Sequence, residues 1–540
     1  MASWIKRGLV VPLALLGIIG LMLMGRTLLP PAGESGSPLE GSFALAATLD
    51  EVLERPDVYE LPGVAVFAPA ADEADAELLS LSTLLCDAIT ERLVATRQLR
   101  LVSCTSTRAA MQANLAGANL GHLLGVDYAV DGELSRDAGG HPRLHLQMRE
   151  LKRVAQVWAL EDDATPERVA HVVRRVSDRV LTGVGIETEV EVAPIPPLLY
   201  GQYLRATQLA RGSTEQRFEA LRLVQDVLAQ APDYSPALYS ELALRSMTAS
   251  FARPGEPPPE PEVLLQRNQE RLEQTRLLGE RLLQLDPEDW RGHTLLLNAA
   301  VEQGRWVTAL QHGERLAQGP AGRPGGARIH AQLQLYAGYA ARAKSQARLA
   351  AVADPLDAQA YRVLAQAHGI LGEDDAMRSF AAIAREISGH GVPLIEAVLA
   401  RRAGDTAGFV KHFTDWLTPL YGDAEAAQRV ARGVVDEAAR DQALVAIEAL
   451  PPSGRVRAAG HFLEYALLGM PERAADAVRE ATERSTAGWL EQLWWPELAD
   501  MRTQPAFGDA MLRAGLTQLW DREGGADGCA RVPGAGWRCH

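Results

Sequence analysis

The sequence has 540 residues, of which 47% are hydrophobic, and a formal net charge of −15. This length exceeds what one hydrophobic core supports and predicts two to four domains. A nucleic-acid-binding surface clusters Lys and Arg against the phosphates, and the sequence has no such cluster. We therefore expect no nucleic-acid partner.

The first predicted element is a transmembrane helix at residues 8–25, GLVVPLALLGIIGLMLMG, which carries no charge. A spanning helix needs about 20 apolar residues. Lys6 and Arg7 favour a cytoplasmic tail at residues 1–7 by the positive-inside rule. A cleaved signal peptide is the alternative, but no small-residue cleavage site follows at the usual distance. We expect a single-pass bacterial inner-membrane protein whose bulk is periplasmic.

Residues 26–59 include the stretch PPAGESGSP, which is typical of a linker. Residues 60–190 then show the order β-α-β-α-β-β-β-α, which predicts one mixed α/β domain. Its first strand, Val64–Phe67, is a short apolar run that ends at a proline. The following helix, 76–96, repeats leucines at helical spacing and therefore has a buried stripe.

Three segments of this domain, GVAVFAP, LRLVSCTSTRAAM and LGHLLGVDYAVDGELSR, resemble the TolB amino-terminal-like domain. The resemblance covers residues 60–182, and its most specific part is Leu124 to Gly132. Domains of that family occur outside the membrane in CadC-like transmembrane regulators and beside tetratricopeptide arrays. The resemblance implies a domain without a catalytic constellation.

Residues 197–520 are almost wholly helical and predict a tetratricopeptide-like α-solenoid. The two Asp-Pro turns at Pro287 and Pro355 lie 68 residues apart, which is two periods of about 34 residues. Glycines end the first helix of a pair, and small residues let the paired helices approach closely. The residues expected to set this packing are Gly304, Ala309, Gly372, Ala376, Pro287 and Pro355.

The end of the array resembles the closing segment of arrays in CadC-like and adenylate-cyclase-associated proteins. The matching residues are Trp495, Pro496, Arg502, Pro505, Phe507, Gly515, Leu516, Trp520 and Cys529. Trp494 and Trp495 either line a ligand groove or belong to the core between helices, and core is the commoner role. Residues 521–540 are expected to form a C-terminal tail.

The four cysteines fall into two local pairs and lack the spacing of a zinc site. This pattern predicts the disulfides Cys86–Cys104 and Cys529–Cys539, as in an oxidising compartment. Four independent thiols are the alternative.

No HExxH, P-loop, GxSxG or strand-linked GxGxxG motif occurs, so we expect no enzyme, no cofactor and no metal site. The predicted fold class is α+β followed by all-α, after a transmembrane helix. The predicted function is a membrane-anchored periplasmic scaffold that binds a protein or peptide of the cell envelope, and self-association of the chain is left open. One alternative is the sensory half of a CadC-like transmembrane system that lacks its own DNA-binding domain. A third, an unrecognised hydrolase, ranks last.

Overall fold

The computed structural model describes residues 61–112, 117–165, 168–186, 195–248, 261–318, 325–450, 461–484, 489–534 and 536–540. The expected transmembrane helix at 8–25 and nearly all of the linker lie outside these residues.

No helix in these ranges is both long enough and apolar enough to cross a bilayer. The longest of them, Pro261–Leu285, has 25 residues but includes eight charged ones, whereas a spanning helix is almost entirely apolar. This finding contradicts a fold class that begins with a transmembrane helix. It also argues against the expected single-pass inner-membrane location, and neither prediction is carried further.

The first domain contains a five-stranded sheet with the strand order β2-β1-β3-β4-β5. Strand β1 is parallel to β2 and β3, whereas β3, β4 and β5 form an antiparallel meander. The order of elements along the chain is the one expected from the sequence, except that two helices lie between β2 and β3. The strands are β1 (Gly63–Val66), β2 (Arg100–Leu101), β3 (Tyr128–Arg136), β4 (Pro142–Glu150) and β5 (Ala155–Asp163), and the helices are α1 (Ala76–Val94), α2 (Cys104–Gln112), α3 (Gly117–Leu124) and α4 (Val169–Gly183).

Strand β1 is buried on both of its faces, to which its successive side chains point alternately. Val64 and Val66 of β1 pack in one cluster with α1, α4 and residues 195–244. Ala65 and Phe67 belong to a second cluster, which continues through α2 and α3 into the core of the later repeats. The α/β domain is therefore held by helical repeats on both of its faces.

The rest of the chain forms eight described pairs of antiparallel helices, and successive helices pack on one another as in a solenoid. The first helices of the pairs are α5 (Pro197–Leu209), α7 (Ser235–Thr248), α9 (Trp290–Glu302), α11 (Gly326–Tyr336), α13 (Ala358–Ile370), α15 (Pro393–Arg402), α17 (Ala424–Val435) and α19 (Phe462–Leu467). The second helices are α6 (Thr214–Gln230), α8 (Pro261–Leu285), α10 (Trp306–Gln318), α12 (Ala340–Ala353), α14 (Asp374–Ser388), α16 (Thr406–Tyr421), α18 (Arg440–Ala449) and α20 (Pro471–Arg484).

Shorter elements follow the array. Helices α21 (Ala499–Arg502), α22 (Pro505–Arg513) and α23 (Leu516–Glu523) lead to a hairpin of β6 (Cys529–Val532) and β7 (Gly536–Cys539). Single 3₁₀ turns occur at Glu437–Ala439, Leu490–Trp494 and Pro496–Leu498.

The repeat period is visible in the turns inside consecutive pairs. Gly304, Gly338 and Gly372 lie 34 residues apart and have φ values of 67°, 85° and 75°. Glycine adopts this left-handed conformation without the steric cost that other residues meet. Equivalent positions in these three pairs therefore also differ by 34 residues, which places Asn298, Gln332 and Gln366 in one row along the first helices.

Candidate functional site

The row of first helices carries a segment of the chain itself. Residues 489–498, here called the closing segment, lie against α11, α13 and α15, a surface here called the inner groove. The carboxylate of Glu491 accepts hydrogen bonds from Gln332 Nε2 at 2.9 Å and from Arg362 Nη1 at 3.4 Å. Its backbone oxygen accepts one from Gln366 Nε2 at 3.2 Å.

The second half of the closing segment is held further along the inner groove. Trp494 Nε1 donates to Tyr336 O at 3.2 Å. Arg402 Nε donates to the carboxylate of Glu497 at 2.7 Å, and its guanidinium lies 5.8 Å from the ring centroid of Trp495. Trp494 and Trp495 are only 3% and 2% exposed, so they are core residues and are not available to an external ligand.

One buried arginine organises the closing segment. Arg502 Nη1 donates to Leu493 O and Trp495 O, each at 2.8 Å, and Arg502 Nη2 donates to His540 O at 3.0 Å. Burial lowers the pKa of this guanidinium to about 10, so it stays charged at neutral pH. Its resemblance to the family's closing pattern marked this residue in the sequence but did not reveal its partners.

The last twenty residues also pack on the array. Asp527 N donates to Gly338 O at 2.8 Å, and Trp520 Nε1, directly before this stretch, donates to Ala337 O at 3.0 Å. Cys529 and Cys539 face each other across the hairpin with their Cα atoms 4.0 Å apart, joined as a disulfide. The segment expected as a C-terminal tail is therefore an ordered cover beside the inner groove.

A second concave surface is not occupied by any segment of the chain that the structure describes. A cleft of about 800 Å³ lies between α1 of the α/β domain and helices α5, α6, α7 and α9 of the first repeats. Its apolar lining includes Leu84, Ala88, Leu204, Ala243, Leu244 and Met247. Tyr203 also lines it, and burial raises the pKa of this phenol above its usual value, so it is neutral at physiological pH.

Ion pairs tie the two walls of the cleft together. Arg97 at the end of α1 pairs with Asp286 at 3.3 Å, and Asp87 of α1 pairs with Arg211. Arg291 pairs with Glu91 of α1, and burial alone would lower its pKa. The Glu91 and Asp289 carboxylates nevertheless raise that pKa above its ordinary value.

Three charged groups of the cleft lining make no ion pair within the described residues. They are Arg217 on α6, Arg315 on α10 and Glu288 before α9. Nε of Arg217 is buried and has no hydrogen-bond partner.

One histidine, His293, lines the cleft and contacts a second histidine, His312. His293 Nε2 faces Pro287 O at 3.1 Å, which makes it the protonated nitrogen, and its Nδ1 lies 2.9 Å from His312 Nδ1. Burial and the neighbouring His293 lower the pKa of His312 to about 4. Both rings are neutral at pH 7, and no group of three potential metal ligands occurs in the described ranges.

The first cysteine pair lies in the same region. Cys86 of α1 and Cys104 at the start of α2 are joined as a disulfide with Cα atoms 6.2 Å apart, and Cys104 lines the cleft. Next to α2 lies Asp354 of the array, which is buried beside Ser103 and Ser106. Burial and the nearby Asp357 raise the pKa of Asp354 to about 6.

The residues expected to set repeat packing lie at turns and helix contacts. Gly304 and Gly372 occupy turns inside pairs, while Pro287 and Pro355 occupy turns between pairs. Ala309 is fully buried, and Ala376 is partly buried against the same core. Sequence reasoning missed Gly338, Gln332 and Gln366, although their 34-residue spacing was a usable signal.

No known family profile and no curated protein matches the chain. The resemblance to the TolB amino-terminal-like domain is therefore not confirmed. Among solved structures, a human IFIT1 dimer with PPP-AAAA is similar at 12% identity and a TM-score of 0.33, over 64% of this chain and 75% of that one. The APC/C hetero-tetramer Cut9-Hcn1 is similar at 16% identity and a TM-score of 0.29, over 66% of this chain and 78% of that one.

Both of those proteins contain tetratricopeptide repeats. At these scores the overall superposition is partial. The tetratricopeptide-like architecture of this chain therefore rests on its own helix pairs and their 34-residue spacing.

Proposed function

We propose that this protein is a non-catalytic scaffold that binds a protein partner, and that the partner enters the cleft between the α/β domain and the first repeats. The observation that carries the proposal is the difference in occupancy. The inner groove is filled by the closing segment, whereas the cleft of about 800 Å³ is open and has a largely apolar lining. Concave surfaces of helical repeats are common sites of protein recognition.

The cleft also meets the physical requirements of a binding site. Its walls are fixed to each other by ion pairs on both sides of α1, so little ordering is needed when a partner enters. The sensory alternative depended on a membrane anchor and is not proposed. The described residues provide no observation that favours the hydrolase.

The test compares two tryptophan variants of the full chain. Ser240→Trp fills the cleft, since Ser240 lines it, whereas Ser345→Trp places the same side chain on the exposed surface of α12. Proteins cross-linked to each variant in cells are identified by mass spectrometry. We expect Ser240→Trp to lose a specific set of partners that the wild type and Ser345→Trp both retain.

Identical partners for both variants would contradict the cleft as the binding surface. The absence of any specific partner of the wild type would contradict the scaffold itself. Circular dichroism of both variants checks that the fold is retained.

A further inference from the structure

Two arginines that line the cleft, Arg217 and Arg315, make no ion pair within the described residues. The carboxylates of Asp87 and Asp286 each pair with one arginine inside the protein, and those of Glu91 and Asp289 share Arg291. Their pairs leave Arg217 and Arg315 with no acidic partner in the described chain, and the lone counter-charge among the unpaired lining groups is Glu288. A ligand with carboxylates would supply ion-pair partners for these two arginines.

Of the two arginines, Arg217 gives the more specific evidence for a ligand. Its Nε is buried without a hydrogen-bond partner, so the guanidinium has already lost part of its hydration. A donor in this state costs free energy until an acceptor arrives. A carboxylate is the natural acceptor, because its two oxygens match the planar fork of a guanidinium.

The remaining lining is suited to apolar side chains. Leu84, Ala243 and Met247 face the same cleft as the two arginines. Burial of these apolar side chains against the ligand favours binding, and the carboxylate contacts would then fix its orientation.

The molecule itself contains an example of this type of recognition. In the inner groove, Arg362 and Arg402 hold Glu491 and Glu497, and two tryptophans fill the space between them. The closing segment is therefore an acidic and aromatic stretch that the same array already accommodates.

We propose that the open cleft binds an acidic peptide segment that also carries large apolar side chains, and that Arg217 and Arg315 receive its carboxylates. This inference rests on the proposed function, because it names the chemistry of the partner that enters the same cleft. The two unpaired arginines attract the carboxylates of the peptide, so the affinity falls as salt rises.

The test uses the full chain and a fluorescein-labelled decapeptide with the sequence of residues 489–498, WLEQLWWPEL. A second peptide replaces both glutamates with glutamine, and a third replaces them with lysine. Fluorescence anisotropy measures the binding of each. We expect the acidic peptide to bind about tenfold more tightly than the glutamine peptide.

Charge reversal locates the site. Arg217→Glu/Arg315→Glu should weaken the acidic peptide by about tenfold and should gain affinity for the lysine peptide. The matched control is Arg205→Glu/Arg432→Glu, which changes the net charge equally at two exposed arginines outside the cleft. The control variant has the same net charge, so a gain for the lysine peptide that occurs only in Arg217→Glu/Arg315→Glu, with an unchanged circular dichroism spectrum, locates the site in the cleft.

Equal binding of the acidic and glutamine peptides would overturn the inference, as would equal binding by the two double variants. Failure of all peptides to bind the wild type would also overturn it. In any of these cases the proposed function stands if Ser240→Trp still loses partners in cells. It fails separately if Ser240→Trp retains them.

Discussion

The inner groove and the cleft are two concave surfaces of one helical array, and they differ in what fills them. In the groove, first helices present Gln332, Gln366 and two arginines, and the closing segment satisfies all of them. In the cleft, two arginines have no partner in the described chain. The helices are of the same kind in both places, so the fold alone does not identify the binding surface.

The difference shows that a concave face can bind a partner only where the chain's own segments do not cover it. A scaffold assignment based only on the repeat pattern would place the partner along the row of first helices. In this chain that row is already covered between α11 and α15. The α/β domain provides a second concave surface in its place, because helix α1 lies opposite the first repeats.

The largest expected effect on stability is at Arg502, which holds the closing segment in the inner groove. Arg502→Ala leaves three carbonyl oxygens without their donor and removes the contact that shapes the closing segment. We expect the free energy of unfolding to fall by about 4 kcal/mol. Urea denaturation measures this, with Arg522→Ala as the control, since Arg522 is exposed and should lose less than about 0.5 kcal/mol. Equal losses would show that the groove is not fixed by Arg502.

The next largest expected effect is a pH dependence of stability caused by Asp354, which lies at the contact between the array and α2. Its folded pKa of about 6 lies above the ordinary value of 3.8, so the folded state holds a proton that the unfolded chain has lost between these pH values. Stability from this group is therefore present at low pH and is lost as pH rises through about 6. Relative to Asp354→Asn, the wild type should lose about 3 kcal/mol at most between pH 4 and pH 7.

Urea unfolding at several pH values checks this, with the exposed Asp226→Asn as the control. A pH-independent difference between wild type and Asp354→Asn would contradict the raised pKa. A difference with the opposite sign would mean that the serine hydroxyls outweigh burial.

The acidic residues of the closing segment test whether the groove contacts stabilise the fold. Glu491→Gln/Glu497→Gln removes two charges that face Arg362 and Arg402. We expect a loss of about 2 kcal/mol by chemical denaturation. Glu288→Gln is the matched change in the cleft, where Glu288 makes no ion pair, and should cost less than about 0.5 kcal/mol. Similar effects at the two places would remove the distinction between a filled and an open surface.

The smallest effect concerns the row of amides. Asn298 is equivalent to Gln366, yet both of its side-chain amide atoms are buried without a partner, whereas Gln366 bonds to Glu491 O. Asn298→Leu should therefore raise the free energy of unfolding by about 1 kcal/mol, and Gln366→Leu should lower it by a similar amount. Thermal unfolding of both variants distinguishes them. Destabilisation by Asn298→Leu would indicate a partner for this amide.

Sequence reasoning succeeded where the signal is local. The order of strands and helices at 63–183 and the turns at Gly304 and Gly372 follow from periodicity and from backbone preference within a few residues. The transmembrane prediction rested on an apolar run outside the described residues, and no helix that the structure describes supports it.

The candidate site could not be predicted in the same way. Glu491 and Gln332 are 159 residues apart, and Glu497 and Arg402 are 95 apart. The cleft joins α1 to residues near 290 through Arg291 and Glu91, which are 200 residues apart. Contacts at such separations depend on how the array curves, and no spacing within one repeat encodes that curvature.

The closing segment also limits how this protein can change in evolution. Ordinary solenoids gain or lose whole repeats easily, because each unit touches only its neighbours. Here one short segment bridges three successive pairs, with Glu491 at α11 and α13 and Glu497 at α15. An extra unit inserted between α13 and α15 would separate these partners beyond the reach of seven residues. The number of repeats between α11 and α15 is therefore fixed by the closing segment, whereas helix pairs outside this stretch can still be duplicated.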